Sequence, residues 1–491
     1  MGARRASCIV SAMIGRPCAA RHLSCLLVLL AISVGAAPSA WARKFTLPQL
    51  LELARGNPGL QASAAATTAS EAQVTEAKLN WLPQGDLLSI LAPSPNLHCN
   101  NPFFMAPTVM NPMPMNPAGT SQAEPCVETT SPEARITDVS WNRVFTRTEV
   151  KLIQPVFDFG KISAGITAAE AGVGVSRQRE AGARADIELN VRKAYYGLKF
   201  ARDVIDMLDE GSGYVDDALK KLDKDLAAGT GNVSVTDRLR MRTTRAELDA
   251  RILEAKRLQG IARESLRTLL GSEAPTELDV DDEEFEPPEV KERVVTYYED
   301  LARANRPEVR MLEYAVAAKS ALSDLERRKE YPDLVLIATG VFAVAQTVDD
   351  PQNAYYNHYF NSRSVGLAAA LRMQLDLGPK IARARKTEAE ALEITHRRSE
   401  ALGGIMLEVR KSYTEATEAA SRVAAMDKGQ KAGKAWISAV AQNFAVGLAE
   451  ARDLSDALVA FFGMRTRYLQ AVFDLHMARS ALSRATGSTE L

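Results

Sequence analysis

The pattern of apolar and polar residues changes its period several times along the chain, and the same succession of patterns occurs twice. Each half starts with helical spacing, continues with alternating apolar and polar positions, and ends in a long helical run that reverses at a glycine. Helical spacing predicts amphipathic helices, and alternation predicts strands with two different faces. The order predicted for each half is therefore helix, strand, strand, very long helix, turn and helix.

Short motifs support a duplication. The segment LARGN at 53–57 recurs as LARAN at 301–305, and DFGKI at 158–162 recurs as DLGPKI at 376–381. The period between the copies is far longer than that of a solenoid repeat. We interpret the chain as two copies of one unit.

The alternating segments have one apolar and one charged face. Between 143 and 156, the charged residues Arg147, Glu149 and Lys151 share one face, and apolar residues and threonines share the other. In the second half, the odd positions from Val365 to Leu375 are apolar. This pattern is typical of a barrel wall with lipid on one side and water on the other. The edge of a soluble sandwich is the alternative.

Two helical runs, 160–229 and 378–447, are exceptionally long. At a rise of about 1.5 Å per residue, each would extend about 100 Å. Helices of that length need neighbours, so they are expected to pack as coiled coils. Gly229 and Gly447 mark the reversals, because glycine tolerates a positive φ. The segments 235–270 and 453–485 are predicted to run back.

These patterns divide the chain into segments. The segment 92–140, rich in Pro, Asn, Met and Ser, is interpreted as a long exposed loop. It contains Cys99 and Cys126, for which we predict one disulfide, with two free thiols as the alternative. The predicted organisation is a signal peptide at 1–42, a first repeat at 43–271, an acidic linker at 272–288, a second repeat at 289–487 and a tail at 488–491.

Composition excludes several classes of function. The 491 residues have a formal net charge of −1, and basic and acidic residues alternate, so no nucleic-acid partner is expected. The chain lacks a phosphate-binding glycine loop, a nucleophile elbow and a metal-ligand spacing, so we predict no enzyme, no metal site and no cofactor.

Two strand pairs cannot close a membrane barrel alone. If the strands lie in a membrane, several chains must share one barrel.

The chain resembles the TolC-like outer-membrane efflux proteins. The resemblance covers the whole chain after the leader, and its most specific part is the segment NFAVGL at 443–448, followed by Asp453 and Asp456. It implies a fold that is mainly α with membrane β: a long coiled-coil α-helical barrel plus a shared twelve-stranded trimeric β-barrel with four strands per chain. It also places the loop 92–140 outside the cell.

The resemblance implies a function and partners. The chain would be a homotrimeric, passive exit duct of a tripartite efflux or type I secretion system, seated in outer-membrane lipid with its helices in the periplasm. A periplasmic adaptor protein and an inner-membrane transporter would complete the system. The alternative is a periplasmic coiled-coil adaptor or scaffold that never enters the membrane.

The resemblance also implies site residues. Asp453 and Asp456 correspond to the channel constriction, although aspartates at a helix start also complement the helix dipole. The adaptor-docking tips would be Val446, Gly447 and Leu448 in the second repeat and Gly229 in the first; a hydrophobic C-cap contact is the alternative for the apolar pair. The first repeat departs from the family pattern, because Val235 stands six residues beyond Gly229 and the nearest acid, Asp237, is shifted by two. We assign Asp237 to the channel constriction as the counterpart in the first repeat.

Overall fold

A computed structural model of the chain describes residues 43–94, 143–229, 234–275, 277–289, 293–346 and 359–488. The predicted signal peptide, most of the predicted loop 92–140, and both Cys99 and Cys126 lie outside these ranges. None of the described helices is long and apolar enough to cross a membrane.

The described part of the first half contains four helices and three strands, and a further strand lies between the halves. A 3₁₀ turn, Ala54–Gly56, separates the first two helices, and Pro58 starts the second of them. The elements are β1 (Arg43–Phe45), α1 (Leu47–Leu53), α2 (Pro58–Leu79), β2 (Gln84–Ser94), β3 (Arg143–Phe157), α3 (Lys161–Ala228), α4 (Val235–Leu270) and β4 (Leu278–Val280).

The second half repeats this order with similar lengths. The long helices of the two halves have 68 and 69 residues, so each extends about 100 Å. The elements are α5 (Val295–Asn305), α6 (Pro307–Arg328), β5 (Asp333–Ala345), β6 (Ser362–Arg372), α7 (Leu377–Ala445) and α8 (Ala451–Thr486).

The strands differ slightly from those predicted. Strand β2 continues to Ser94, into the segment interpreted as loop. Strand β6 ends at Arg372, so Met373 and Leu375, predicted to continue its apolar face, lie in the connection to α7. The loop at 92–140 was predicted from composition, which does not fix the end of β2. Beyond Arg372 the apolar residues continue to alternate, so alternation does not locate the end of β6.

Four strands form one antiparallel sheet in the order β2-β3-β5-β6. The register aligns Leu87, Val150, Gly340 and Val365 in one row across the sheet. Because neighbouring residues alternate between faces, this row defines an apolar face that also carries Leu91, Leu334, Leu367 and Leu371. These side chains are exposed, and Val365 is 93% exposed. We call this side of the sheet the apolar face.

The opposite side carries the charges. Arg147, Glu149 and Lys151 alternate with the residues of the apolar face, as the sequence predicts. Arg147 and Glu149 form an ion pair there. The register thus builds a wall with one apolar and one charged surface.

Below the sheet, shorter helices are stacked end to end alongside the long ones. The side chain of Asn57, at the start of α2, donates a hydrogen bond to the carbonyl oxygen of Leu269 at the end of α4 (2.7 Å). Arg306, at the start of α6, donates in the same way to Ala485 at the end of α8 (3.2 Å). The duplicated motifs 53–57 and 301–305 therefore lie at two equivalent helix junctions.

The junctions require glycine. Gly271 and Gly487 have φ angles of +66° and +67°. A Cβ on Gly271 would lie 2.8 Å from Cδ of Pro58, and one on Gly487 would lie 2.9 Å from the backbone of Asn305. Close approach and positive φ together exclude a side chain at both positions.

The interpretation of 272–288 as an acidic connector did not foresee its packing. Strand β4 pairs in parallel with β1, and Leu278 and Val280 are buried. Asp281 then forms an ion pair with Lys199 of α3 (2.7 Å) and accepts a hydrogen bond from the hydroxyl of Tyr195 (2.6 Å). The segment thus attaches to the middle of the long helix.

Candidate functional site: the helix tips

The turns of the two helical hairpins lie at the same end of the molecule. Lys221, near the end of α3, donates hydrogen bonds to the carbonyl oxygens of Phe444 and Ala445 at the end of α7, the second at 3.1 Å. The hydroxyls of Thr244 in α4 and Ser455 in α8 are hydrogen-bonded at 3.2 Å in a buried position. The structure therefore brings together the two turns that the sequence predicts separately.

The turn between α7 and α8 exposes two apolar side chains. Gly447 has a φ of +79°, and the amide of Leu448 donates to the carbonyl of Asn443 at 2.8 Å, which closes the helix end in the manner of a Schellman motif. Such motifs often bury the following apolar residue. Here Val446 is 70% exposed and Leu448 is 81% exposed, so the hydrophobic C-cap contact is absent.

The turn between α3 and α4 is described only in part. Gly229 has a φ of +62° and ends α3, and residues 230–233 lie outside the described ranges. Ser234 and Asp237 form a reciprocal capping box at the start of α4, with the Ser234 hydroxyl donating to the Asp237 carboxylate at 2.6 Å. Hydrogen bonds from the Ser234 side chain and backbone lower the pKa of Asp237.

Asp237 and Asp453 occupy equivalent positions in the two repeats. Each is the third helical residue and receives a hydrogen bond from the backbone amide of its N-cap residue: Ser234 for Asp237 and Glu450, at 3.4 Å, for Asp453. The two-residue shift arises in the turn, because α4 begins at Val235 and α8 at Ala451, six and four residues after the respective glycines. The shift therefore does not displace Asp237 within its helix.

Asp456 lies one turn beyond Asp453 on the exposed side of α8. Its only ion pair among the described residues is with Arg452 at 3.9 Å, and both side chains are mostly exposed. Such a pair neutralises little charge. Both carboxylates are thus available on one face of the helix, whereas the first repeat has Arg240 at the position that matches Asp456.

Two contacts at the tips were not foreseen from the sequence. The spacing Ser234-x-x-Asp237 resembles a capping box, with Asp in place of the usual Glu or Gln, and is a signal that could have been used. Lys221 gave no signal, because its partners are 223 and 224 residues away.

Another unforeseen contact, away from the tips, fixes the segment after β4 to α8. The ring of His476 stacks on Tyr196 of α3 (4.1 Å between centroids) and on Phe285 (5.2 Å), and its Nε2 is hydrogen-bonded to the carbonyl of Glu286 at 2.9 Å. Burial lowers the pKa of His476 to about 4 despite that hydrogen bond. The imidazole is therefore neutral at pH 7, because burial disfavours its charged form.

Comparison with known proteins agrees with this architecture. A model of the outer membrane efflux protein family matches residues 145–272 and 299–488. The alkaline protease secretion protein AprF of Pseudomonas aeruginosa is 24% identical over 66% of this chain and 66% of its own length. The cobalt-zinc-cadmium resistance protein CzcC of Cupriavidus metallidurans is 24% identical over 73% of this chain and 81% of its own length.

Solved structures agree as well. The outer-membrane channel OprN superposes with a TM-score of 0.69 at 16% identity, covering 90% of both chains.

The chain belongs to the outer membrane efflux protein family. It has the fold predicted for it, in which a long α-helical barrel continues a membrane β-barrel. The sheet lies in the outer membrane and the helices lie in the periplasm. The chain is therefore an outer membrane efflux protein and not a periplasmic adaptor.

Proposed function

We propose that three copies of this chain form one passive duct, which completes a tripartite efflux or type I secretion system together with a periplasmic adaptor and an inner-membrane transporter. The four-stranded sheet carries this proposal. The names of the relatives support it, since AprF is a secretion protein and CzcC is a metal-resistance protein.

The sheet cannot face lipid alone. Among the described residues, β2 and β6 each pair with one neighbour only, so the sheet has two open edges beside an exposed apolar face. Unpaired backbone groups in hydrocarbon cost several kcal/mol each. Three copies of the four strands give a closed wall of twelve, in which β2 of one subunit pairs with β6 of the next.

The aspartates of α8 form the constriction in this trimer. Asp453 and Asp456 of three subunits bring six carboxylates around the axis at the periplasmic end. Asp237 adds one more carboxylate per subunit at the equivalent position of α4, held there by Ser234. Rings of carboxylates attract cations and hinder anions.

The exposed turn residues form the docking tips. Val446 and Leu448 flank Gly447 at the end of the hairpin, and Gly229 ends the matching helix of the first repeat. Exposed apolar groups at the tip of a polar hairpin suit a protein contact. The adaptor would cover them in the assembled system.

Two measurements test the proposal. Purified protein in a planar bilayer should form stable pores, and the absence of pores contradicts the duct. The double variant Val446→Ala, Leu448→Ala should lose crosslinking to the adaptor, while Lys434→Ala, on the exposed side of α7, should retain it. Equal crosslinking of both variants contradicts the assignment of the tip.

A further inference from the structure

The apolar face continues below the sheet as a short series of aromatic rings. After the bulge in β3, Phe157 pairs with Leu334, which belongs to the apolar face. The ring of Phe157 meets Phe159 edge-on at 4.8 Å, and Phe159 stacks on Tyr331 at 5.4 Å. All three side chains are exposed. The rings therefore mark the lipid-facing side at the periplasmic margin of the sheet.

Phe159 holds its position in an unusual backbone conformation. It is the only non-glycine residue with a positive φ in the described part of the chain, at +54°. Bulky residues rarely adopt this conformation. Asp158 stabilises the turn, accepting from the amide of Gly160 at 2.9 Å. The turn thus directs the Phe159 ring towards Phe157 and Tyr331, and strain of this kind is often retained at binding sites.

A cavity of about 600 Å³ opens next to these rings. Phe159 and Tyr331 are the aromatic residues of its lining. The rest comes from the end of α6 and the start of α7 and is mostly charged, with Ile381 and Ala384 as the apolar members. Its volume lies in the range of about 300–1,000 Å³ typical of small-molecule sites. Because α6 ends at Arg328 and β5 begins at Asp333, the cavity lies at the level where lipid headgroups meet the protein.

The charges in the cavity are only partly paired. Arg327 forms an ion pair with Glu388 at 2.8 Å, and Arg328 donates to the carbonyl of Gly160 at 2.9 Å. Within the described residues, the side chain of Arg385 has no hydrogen-bond or ion-pair partner, and neither do the carboxylates of Glu330 and Asp324. The cavity therefore offers one unpaired cation and two unpaired carboxylates beside aromatic rings.

We propose that this cavity binds the headgroup of a zwitterionic phospholipid that carries a primary ammonium. Arg385 binds the phosphate through charge-assisted hydrogen bonds, and Glu330 and Asp324 accept from the ammonium. The acyl chains extend over Phe157 onto the apolar face. A phosphoglycerol headgroup offers no cation to the carboxylates, and a choline headgroup offers no N–H donor.

The inference rests on the membrane placement of the sheet, and native mass spectrometry tests it. Delipidated channel in detergent is mixed with equal amounts of phosphatidylethanolamine, phosphatidylglycerol and phosphatidylcholine. The wild type should retain phosphatidylethanolamine preferentially. Arg385→Ala should weaken this binding at least about tenfold, as expected for the loss of a charge-assisted hydrogen bond. Lys386→Ala is the matched control, because Lys386 is the next residue and does not line the cavity.

Three outcomes overturn the inference. They are equal retention of the three lipids, equal loss of binding in both variants, and displacement of the lipid by inorganic phosphate alone, which would show a simple anion site. Pore formation is measured on the same preparation. A sample that conducts but shows no lipid preference contradicts the headgroup site and leaves the duct intact, whereas a sample that forms no pore contradicts the duct itself.

Discussion

The ammonium group of Lys221 donates a hydrogen bond to the carbonyl oxygen of Ala445, 3.1 Å away, and so joins the ends of the two longest helices. The same group lies 4.5 Å from the centre of the Phe444 ring. A cation at the C-terminus of a helix satisfies carbonyls that lack partners and complements the helix dipole. Lys221 thus fixes the exposed turn of the second repeat to the first repeat.

Removal of this contact should loosen the tip. Lys221→Met keeps the length of the side chain and removes the charge, and we expect a loss of about 1 kcal/mol at the end of α7. Hydrogen exchange of the amides of 445–449 should accelerate about fivefold. Lys220→Met is the control, because Lys220 is exposed and pairs only with Asp217 among the described residues. Unchanged exchange in the Lys221 variant would show that the contact does not hold the turn.

The constriction residues give a prediction on conductance. Asp453→Ala and Asp456→Ala should raise single-channel conductance and weaken block by multivalent cations, because the ring of carboxylates is removed. Asp453→Ala also removes a cap contact, so Asp456→Ala isolates the effect of charge.

The control for the constriction is Asp474→Ala. Asp474 lies on the same helix, far from the tip, and pairs with Arg422 at 3.2 Å. Its replacement should leave the conductance unchanged. If Asp474→Ala changes the currents as much as Asp456→Ala does, the constriction does not lie at the start of α8.

Variants at two neighbouring residues test which face of the sheet meets lipid. Leu367 is 71% exposed on the apolar face, and Ala368 lies on the charged face. Leu367→Lys should reduce the amount of assembled channel, since a lysine facing lipid costs about 2–4 kcal/mol near the middle of the bilayer. Ala368→Lys should assemble and reduce cation passage. The yield of heat-resistant oligomer in the outer-membrane fraction measures the assembly of both variants. A higher yield for Leu367→Lys than for Ala368→Lys would place lipid on the charged face.

His476 predicts a pH dependence of stability. Its pKa is lowered by burial from 6.5 to about 4, and the nearby cations Arg479 and Lys199 act in the same direction. The unfolded state therefore binds a proton more readily than the folded state between these values. The stabilisation is fully present above about pH 6.5 and is lost as the pH falls towards about 4.

A pair of variants measures this dependence. The apparent melting temperature of the wild type should fall between pH 7 and pH 4.5, and His476→Phe should reduce that fall, because phenylalanine stacks without titrating. His396→Phe, on the exposed side of α7, should behave like the wild type. Identical pH profiles for all three proteins would contradict the lowered pKa of His476 as a source of the pH dependence.

Much of the fold was predictable because it depends on local patterns. Alternation identified the charged face with Arg147 and the apolar face with Val365, and glycines marked both reversals. The equivalence of Asp237 and Asp453 was obscured, because a count from the glycines includes turns of different length. Contacts such as Lys221 with Ala445 and Lys199 with Asp281 join distant segments, and no periodicity in the sequence encodes them.

The most direct test of the account is the mass of the detergent-solubilised protein determined by native mass spectrometry. The open edges of β2 and β6 predict a trimer in which each sheet completes the wall of its neighbour. A stable monomer that retains its sheet and resists aggregation would contradict the shared barrel on which the proposed duct depends.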